Sequence, residues 1–143
     1  MKAGLHEVSS ELEMIDLGRE IARSLGGGEV LALVGELGAG KTHLVKGIVA
    51  GLDSGRAVTS PTFTLVHEYR GGRLAVNHFD FYRMENEREV LAIGWDEFLE
   101  STGEVAVVEW ADKFPGLIPG EAQWWRIEIM GEGRRRLSKE KAP

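Results

Sequence analysis

Apolar positions recur along the chain at two periods, and the switches between them mark its elements. Met14, Leu17, Ile21 and Leu25 fall at intervals of three and four, the spacing of a helix with one buried face. Ser10 with Glu13 three residues later gives the start signal, and Gly26-Gly27-Gly28 gives the stop. The run Val30-Leu31-Ala32-Leu33-Val34 then predicts a strand buried on both faces. Leu44, Val45, Ile48, Val49 and Leu52 return to helical spacing, and Asp53-Ser54-Gly55 closes that helix. Residues 58–64 are polar and broken by Pro61, which predicts a loop entering a strand. Residues 64–69 and 74–81 read as two strands joined by Arg70-Gly71-Gly72-Arg73, a hairpin signal. Alternation in the second of them sends Val76, His78 and Asp80 to one face and Ala75, Asn77, Phe79 and Phe81 to the other.

Residues 87–93 and 95–100 are helix-like on either side of Gly94, with Trp95, Phe98 and Leu99 as core candidates. Glu104-Val105-Ala106-Val107-Val108-Glu109 is a second buried strand, nearly all apolar and ending in an acid. A last strand over 123–130 alternates Trp124, Arg126, Glu128 and Met130 against Trp125, Ile127 and Ile129. The order, together with the match of Gly35 to Thr42 to G-x-x-x-x-G-K-[ST], predicts an α/β chain: a three-layer P-loop NTPase-like fold with a mixed, largely parallel sheet, a β-hairpin and helices on both faces. A single domain is expected over 1–133, and residues 134–143 are expected to form a basic, partly disordered C-terminal tail.

Between the first buried strand and the second helix lies Gly35-Glu36-Leu37-Gly38-Ala39-Gly40-Lys41-Thr42, which fits G-x-x-x-x-G-K-[ST]. A tight turn there aims backbone N–H groups inward at the positive end of a helix, a ready anion site. Gly35, Gly38, Ala39, Gly40, Lys41, Thr42 and His43 are the expected phosphate-side contacts, with Lys41 reaching the β- and γ-phosphates and the Thr42 hydroxyl ligating Mg²⁺. Ser60 or Thr62 in the following loop is positioned to sense the γ-phosphate or its metal, the alternative being a Ser/Thr turn around Pro61. Asp80, at a strand end, is expected to bind Mg²⁺ through water or to orient an attacking water, with His78 hydrogen-bonding it in place. Glu109, closing the second buried strand, reads as a Mg²⁺ or water-positioning carboxylate with Trp110 beside the phosphates. Arg83 is expected to pair with the acidic stretch 85–89 rather than to touch phosphate, and Ser9 and Ser10 are candidates to approach the adenine or ribose. A zinc site from His67, His78 and Asp80 has the residue types but not the spacing.

Composition narrows this little. A net charge of −6 over 143 residues argues against a general nucleic-acid binder, although Arg134-Arg135-Arg136 concentrates positive charge. The chain has no cysteine, so disulfides, Cys-ligated zinc and a thiol nucleophile are excluded. Neither a signal-peptide core nor a membrane-length apolar run is present, and a cytoplasmic protein is expected.

Taken together, Gly38-Ala39-Gly40-Lys41-Thr42, Ser60-Pro61-Thr62-Phe63, His78-Phe79-Asp80-Phe81-Tyr82-Arg83 and Glu109-Trp110 resemble the TsaE (YjeE) family of small bacterial P-loop ATPases. The resemblance runs over nearly the whole chain. It implies ATP and Mg²⁺ as cofactors, with Lys41 and the loop backbone on phosphates, Thr42 and Glu109 on the metal, and Asp80 assisting hydrolysis. Ser60-Pro61-Thr62 resembles the family's switch-like loop, and Trp110 the companion of the acidic residue. It further implies a role in threonylcarbamoyl modification of the adenosine beside the tRNA anticodon, with the protein docking on a TsaB–TsaD complex and meeting tRNA only through it. The basic tail departs from relatives, which tend to continue with another strand. Two other functions share the loop: a small-molecule kinase, against which the lack of an evident arginine-bearing lid argues, and a GTP-dependent switch, for which Ala111-Asp112-Lys113-Phe114 does not fit N/T-K-x-D.

Overall fold

The structure is a computed structural model and describes residues 4–36, 39–53 and 66–143. In chain order the elements are β1 (Leu5–Val8), α1 (Glu11–Arg23), β2 (Val30–Gly35), α2 (Lys41–Gly51), β3 (Val66–Tyr69), β4 (Ala75–Asp80), α3 (Glu87–Ala92), α4 (Trp95–Glu100), β5 (Glu104–Glu109), β6 (Gln123–Gly131) and β7 (Arg134–Glu140). Seven strands form one sheet in the order β1-β7-β6-β2-β5-β4-β3. Strands β6, β2, β5 and β4 are mutually parallel, while β7 and β3 run against their neighbours. The sheet is therefore mixed and largely parallel, with β3 and β4 as the expected hairpin.

Two cores cover its faces. Met14, Leu17 and Ile21 of α1 and Leu44, Val45 and Ile48 of α2 pack on Leu31, Leu33, Val105 and Val107. On the opposite face Phe79, Phe81, Trp95 and Val90 pack on Ala32, Val34 and Val108. Edge-to-face contacts of Phe79 and Phe81 with Trp95, at 5.0 and 5.4 Å between centroids, fasten α4 to that side. The helix starts follow the sequence: Ser10 Oγ accepts from the Glu13 N–H at 3.1 Å, and the Glu13 carboxylate accepts from the Ser9 N–H at 3.1 Å. Arg73, in the hairpin turn, donates to the Leu25 and Ala22 carbonyls at 2.8 and 2.9 Å and so closes the C-terminal end of α1.

Helices α1 and α2 meet through Gly18 and Gly47. A Cβ on Gly47 would sit 2.0 Å from the Ile15 carbonyl oxygen and 2.9 Å from Gly18 Cα, so backbone faces backbone. Gly47→Ala is expected to force the helices apart and to lower stability by about 1–3 kcal/mol, read from the urea midpoint. Unchanged stability would mean that the helices can shift freely.

The ends of the chain differ from expectation. Residues 134–140, expected to belong to a basic, partly disordered tail, form β7, which pairs with β6 on one side and β1 on the other. Polar composition hid this strand, because a ladder on both edges and one fully buried side chain, Leu137, supply its cohesion. Ion pairs of Arg126 with Glu140 at 2.7 Å and Arg136 with Glu7 at 3.3 Å absorb part of its charge. The further strand that the family resemblance led us to expect, and that the basic tail put in doubt, is present as β7.

Candidate nucleotide site

The site lies where the parallel strands end. Strand β2 finishes at Gly35, and α2 begins at Lys41 after Gly40, whose φ of 105° lies in the left-handed region that favours glycine. Gly35 is required by proximity as well: a Cβ there would come within 2.5 Å of the Ile127 carbonyl oxygen on β6. Ala39 is buried, while Thr42 and His43 on the first turn of α2 are partly open. His43 sits 3.4 Å from Glu11 at the start of α1. Gly38, Ser60 and Thr62 lie outside the described residues.

Lys41 is 5 % exposed. Its ammonium donates to the Gly35 and Glu36 carbonyls at 2.6 and 2.9 Å and lies 4.3 Å from the centre of the Trp110 ring. Burial lowers its pKa below the usual lysine value, while Glu109, Asp80, Asp112 and Glu36 pull the other way, Glu109 most. Sequence reasoning reached the first two of those acids and missed Asp112 and Glu36, which no pattern distinguishes from surface charge.

Asp80 and Glu109 are register partners at the C-terminal ends of β4 and β5, and both are buried. Asp80 Oδ1 accepts from the Tyr82 N–H at 3.0 Å. Its pKa is raised, first by burial and then by Glu109 in opposition to the Tyr82 hydrogen bond and Arg83. Arg83 Nε lies 4.0 Å from Asp80 Oδ2, so the arginine expected to pair with residues 85–89 faces the site instead. A 3-10 turn at Phe81–Arg83 carries the chain back over the strand end, which residue spacing does not reveal.

His78 does not hold Asp80. Its Nε2 is 2.5 Å from Glu109 Oε2, across the β4–β5 pairing, because the neighbouring strand puts Glu109 within closer reach than a residue two positions along its own strand. No group of three or more His, Cys, Asp or Glu side chains arranged to hold a metal occurs among the described residues, and the His67 ring nitrogen faces the Tyr69 hydroxyl instead, at 3.3 Å.

Trp110 follows Glu109 with φ 59°, a left-handed conformation that costs a non-glycine residue about 1 kcal/mol or more. That turn brings its indole over Lys41 and against Tyr82, whose ring lies at 4.9 Å. Lys113 donates to the Tyr82 and Met84 carbonyls at 3.0 and 2.6 Å and ties the segments after β4 and β5 together. Tyr82 and Lys113 stand within motifs noted in the sequence but were given no role at the site; the aromatic residue two positions after Asp80 was the available signal. A cavity of about 290 Å³ opens beside Gly40, lined by Ser10, Met14, His43 and Arg135 among others. A more open trough of about 520 Å³ flanks the other side of the loop at Glu36, Trp110 and Arg126.

A buried parallel strand, a glycine turn, a helix opening on lysine and two carboxylates at neighbouring strand ends define a phosphate-loop α/β fold. The family described as "Threonylcarbamoyl adenosine biosynthesis protein TsaE" matches residues 8–138, and the chain belongs to the TsaE family. The tRNA threonylcarbamoyladenosine biosynthesis protein TsaE of Bacillus subtilis is 44% identical over 111 residues, covering 78% of this chain and 68% of the relative. Its counterpart in Treponema pallidum is 36% identical over 121 residues, covering 85% and 88%. The crystal structure of Bacillus subtilis YdiB superposes with a TM-score of 0.82 at 30% identity, covering 100% of this chain and 90% of the other.

Proposed function

We propose that this protein is a Mg²⁺-dependent ATPase of tRNA threonylcarbamoyladenosine biosynthesis that acts on a TsaB–TsaD-like complex and drives or resets its cycle, meeting tRNA only through that complex. The observation that carries the hydrolytic reading is the register pair Asp80 and Glu109 at the strand ends, with both carboxylates acting on the buried Lys41 ammonium. The family membership and the relatives' names support the pathway. A cytoplasmic site of action is part of this reading; among the described residues no helix is long and apolar enough to cross a membrane.

The donor set suits Mg²⁺, which takes one or two carboxylates together with substrate phosphates rather than an all-protein cage. Thr42, Glu109 and Asp80 would hold it, and the bound ion would neutralise phosphate charge. Lys41 and the N–H groups opening α2 bind the phosphates, and the remaining carboxylate edge orients the attacking water and accepts its proton. Trp110 keeps the lysine desolvated. The cavity at Ser10 and His43 is the size and position for the nucleoside end, in keeping with the expectation for the first turn of α1.

A pull-down with and without ATP tests the partner, and recovery of a TsaB–TsaD pair is the expected result. Turnover should be slow alone and rise when that pair is added; rapid turnover by the isolated protein would sink the partner dependence. ADP release that requires an added small-molecule acceptor would point to a kinase. Thermal stabilisation by GTP but not ATP would point to a switch.

A further inference from the structure

We infer that His78 is a positioning residue for Glu109, fixing one carboxylate oxygen so that the other is held for work at the phosphate loop; the inference rests on the Mg²⁺–ATP reading above. His78 is completely buried, and its Nε2 lies 2.5 Å from Glu109 Oε2. The contact is diagonal: His78 pairs in register with Val107, and Glu109 is two residues further along β5. The imidazole therefore grips the carboxylate from the core side, one pleat below the strand ends where Asp80 and Glu109 stand together.

Two features separate this from a histidine that merely fills the sheet. First, Glu109 shares the strand ends with Asp80, and like charges at that range drive each other toward other rotamers or toward protonation. A donor on Oε2 opposes that drift and keeps Glu109, the acid that attracts the Lys41 ammonium most, in place. Second, His78 Nδ1 is buried with no hydrogen-bond partner, and its ring neighbours are His67 and Tyr69 at 6.4 and 6.5 Å between centroids. Buried polar groups are normally satisfied, and an apolar side chain would fill this place on β4 without an orphaned nitrogen. The nitrogen that is satisfied is the one on Glu109. A carboxylate only accepts, so the proton of this contact is carried by Nε2.

The test has two parts. In the nucleotide-free protein, ¹⁵N NMR of His78 should report the Nε2–H tautomer; the Nδ1–H tautomer would overturn the inference, since Nε2 then has nothing to donate. Next, His78→Leu removes the donor, and His78→Gln restores one near the Nε2 position. The probes are ADP without metal and a slowly hydrolysed ATP analogue titrated with Mg²⁺, followed calorimetrically. In His78→Leu, metal-free ADP affinity should stay near wild type while the Mg²⁺ concentration for half-saturation rises by about 10- to 100-fold, with most of the loss recovered in His78→Gln. Should His78→Leu not fold, His78→Asn, the same amide one methylene shorter, takes its place and should behave as Leu does. A Leu or Asn variant with wild-type Mg²⁺ dependence would reduce His78 to a core residue. If wild-type protein itself shows no Mg²⁺ dependence, the metal reading falls, and the tautomer alone decides the His78–Glu109 bond.

Discussion

Lys41→Ala is expected to weaken ATP binding by roughly 10- to 150-fold, the equivalent of one charge-assisted contact of about 1.5–3 kcal/mol. The ammonium sits among Glu109, Asp80, Asp112 and Glu36, so its removal leaves a triphosphate facing uncompensated acids as well as lacking a partner. An alanine cannot reach past the Gly35 and Glu36 carbonyls that the lysine now engages. The pH dependence gives a second reading. Burial lowers the Lys41 pKa, so the unfolded chain holds that proton more tightly than the folded one. Stability without nucleotide therefore gains as pH rises from the folded value toward 10.5, while phosphate affinity declines over the same window as the ammonium is lost. Lys41→Ala should flatten both profiles. Fluorescence competition for affinity and thermal melts for stability check the pair, and an unchanged ATP affinity in the variant would remove Lys41 from the phosphate site.

What the chain disclosed before folding depended on how local each signal was. Helices α1 and α2 and strands β2, β5 and β6 were legible because each carries its own apolar period, and the loop between β2 and α2 because glycine and lysine are placed by local geometry. Strands β1 and β7 were not. Leu5–Val8 and Arg134–Glu140 are polar segments from opposite ends of the chain; β1 is a strand because β7 lies beside it, and β7 because β6 and β1 complete its ladder on both edges. The site divides in the same way. Lys41 opens a patterned element, Asp80 and Glu109 each close one, and the structure brings them together. The partner of His78 was misassigned because alternation reports which face a residue takes, not which strand lies beside it. Arg83 went wrong for a related reason: spacing cannot show the 3-10 turn that folds it back toward Asp80.

Glu109→Gln and Asp80→Asn are expected to cut turnover by about 100- to 1,000-fold while leaving nucleotide affinity within about fivefold of wild type. Both changes keep shape and hydrogen-bonding reach but lose the charge that holds metal or accepts a proton. Their effects on the unliganded protein should part company. The Asp80 carboxyl is raised above its ordinary value, chiefly by burial, so the folded protein binds that proton more tightly than the unfolded chain. Its contribution to stability then falls as pH rises from 3.8 through the folded value, which leaves a penalty at neutral pH. An asparagine still accepts from the Tyr82 N–H, carries no charge to desolvate and should raise Tm at pH 7 while losing that slope. Glu109→Gln keeps an oxygen to accept from His78 Nε2 and gives up the stronger charge-assisted bond, so its Tm should fall or hold. A stability gain paired with lost turnover in Asp80→Asn alone would mark that carboxylate as one kept for chemistry at the expense of the fold. Loss of affinity in both variants equal to that of Lys41→Ala would contradict the division of labour among the three residues.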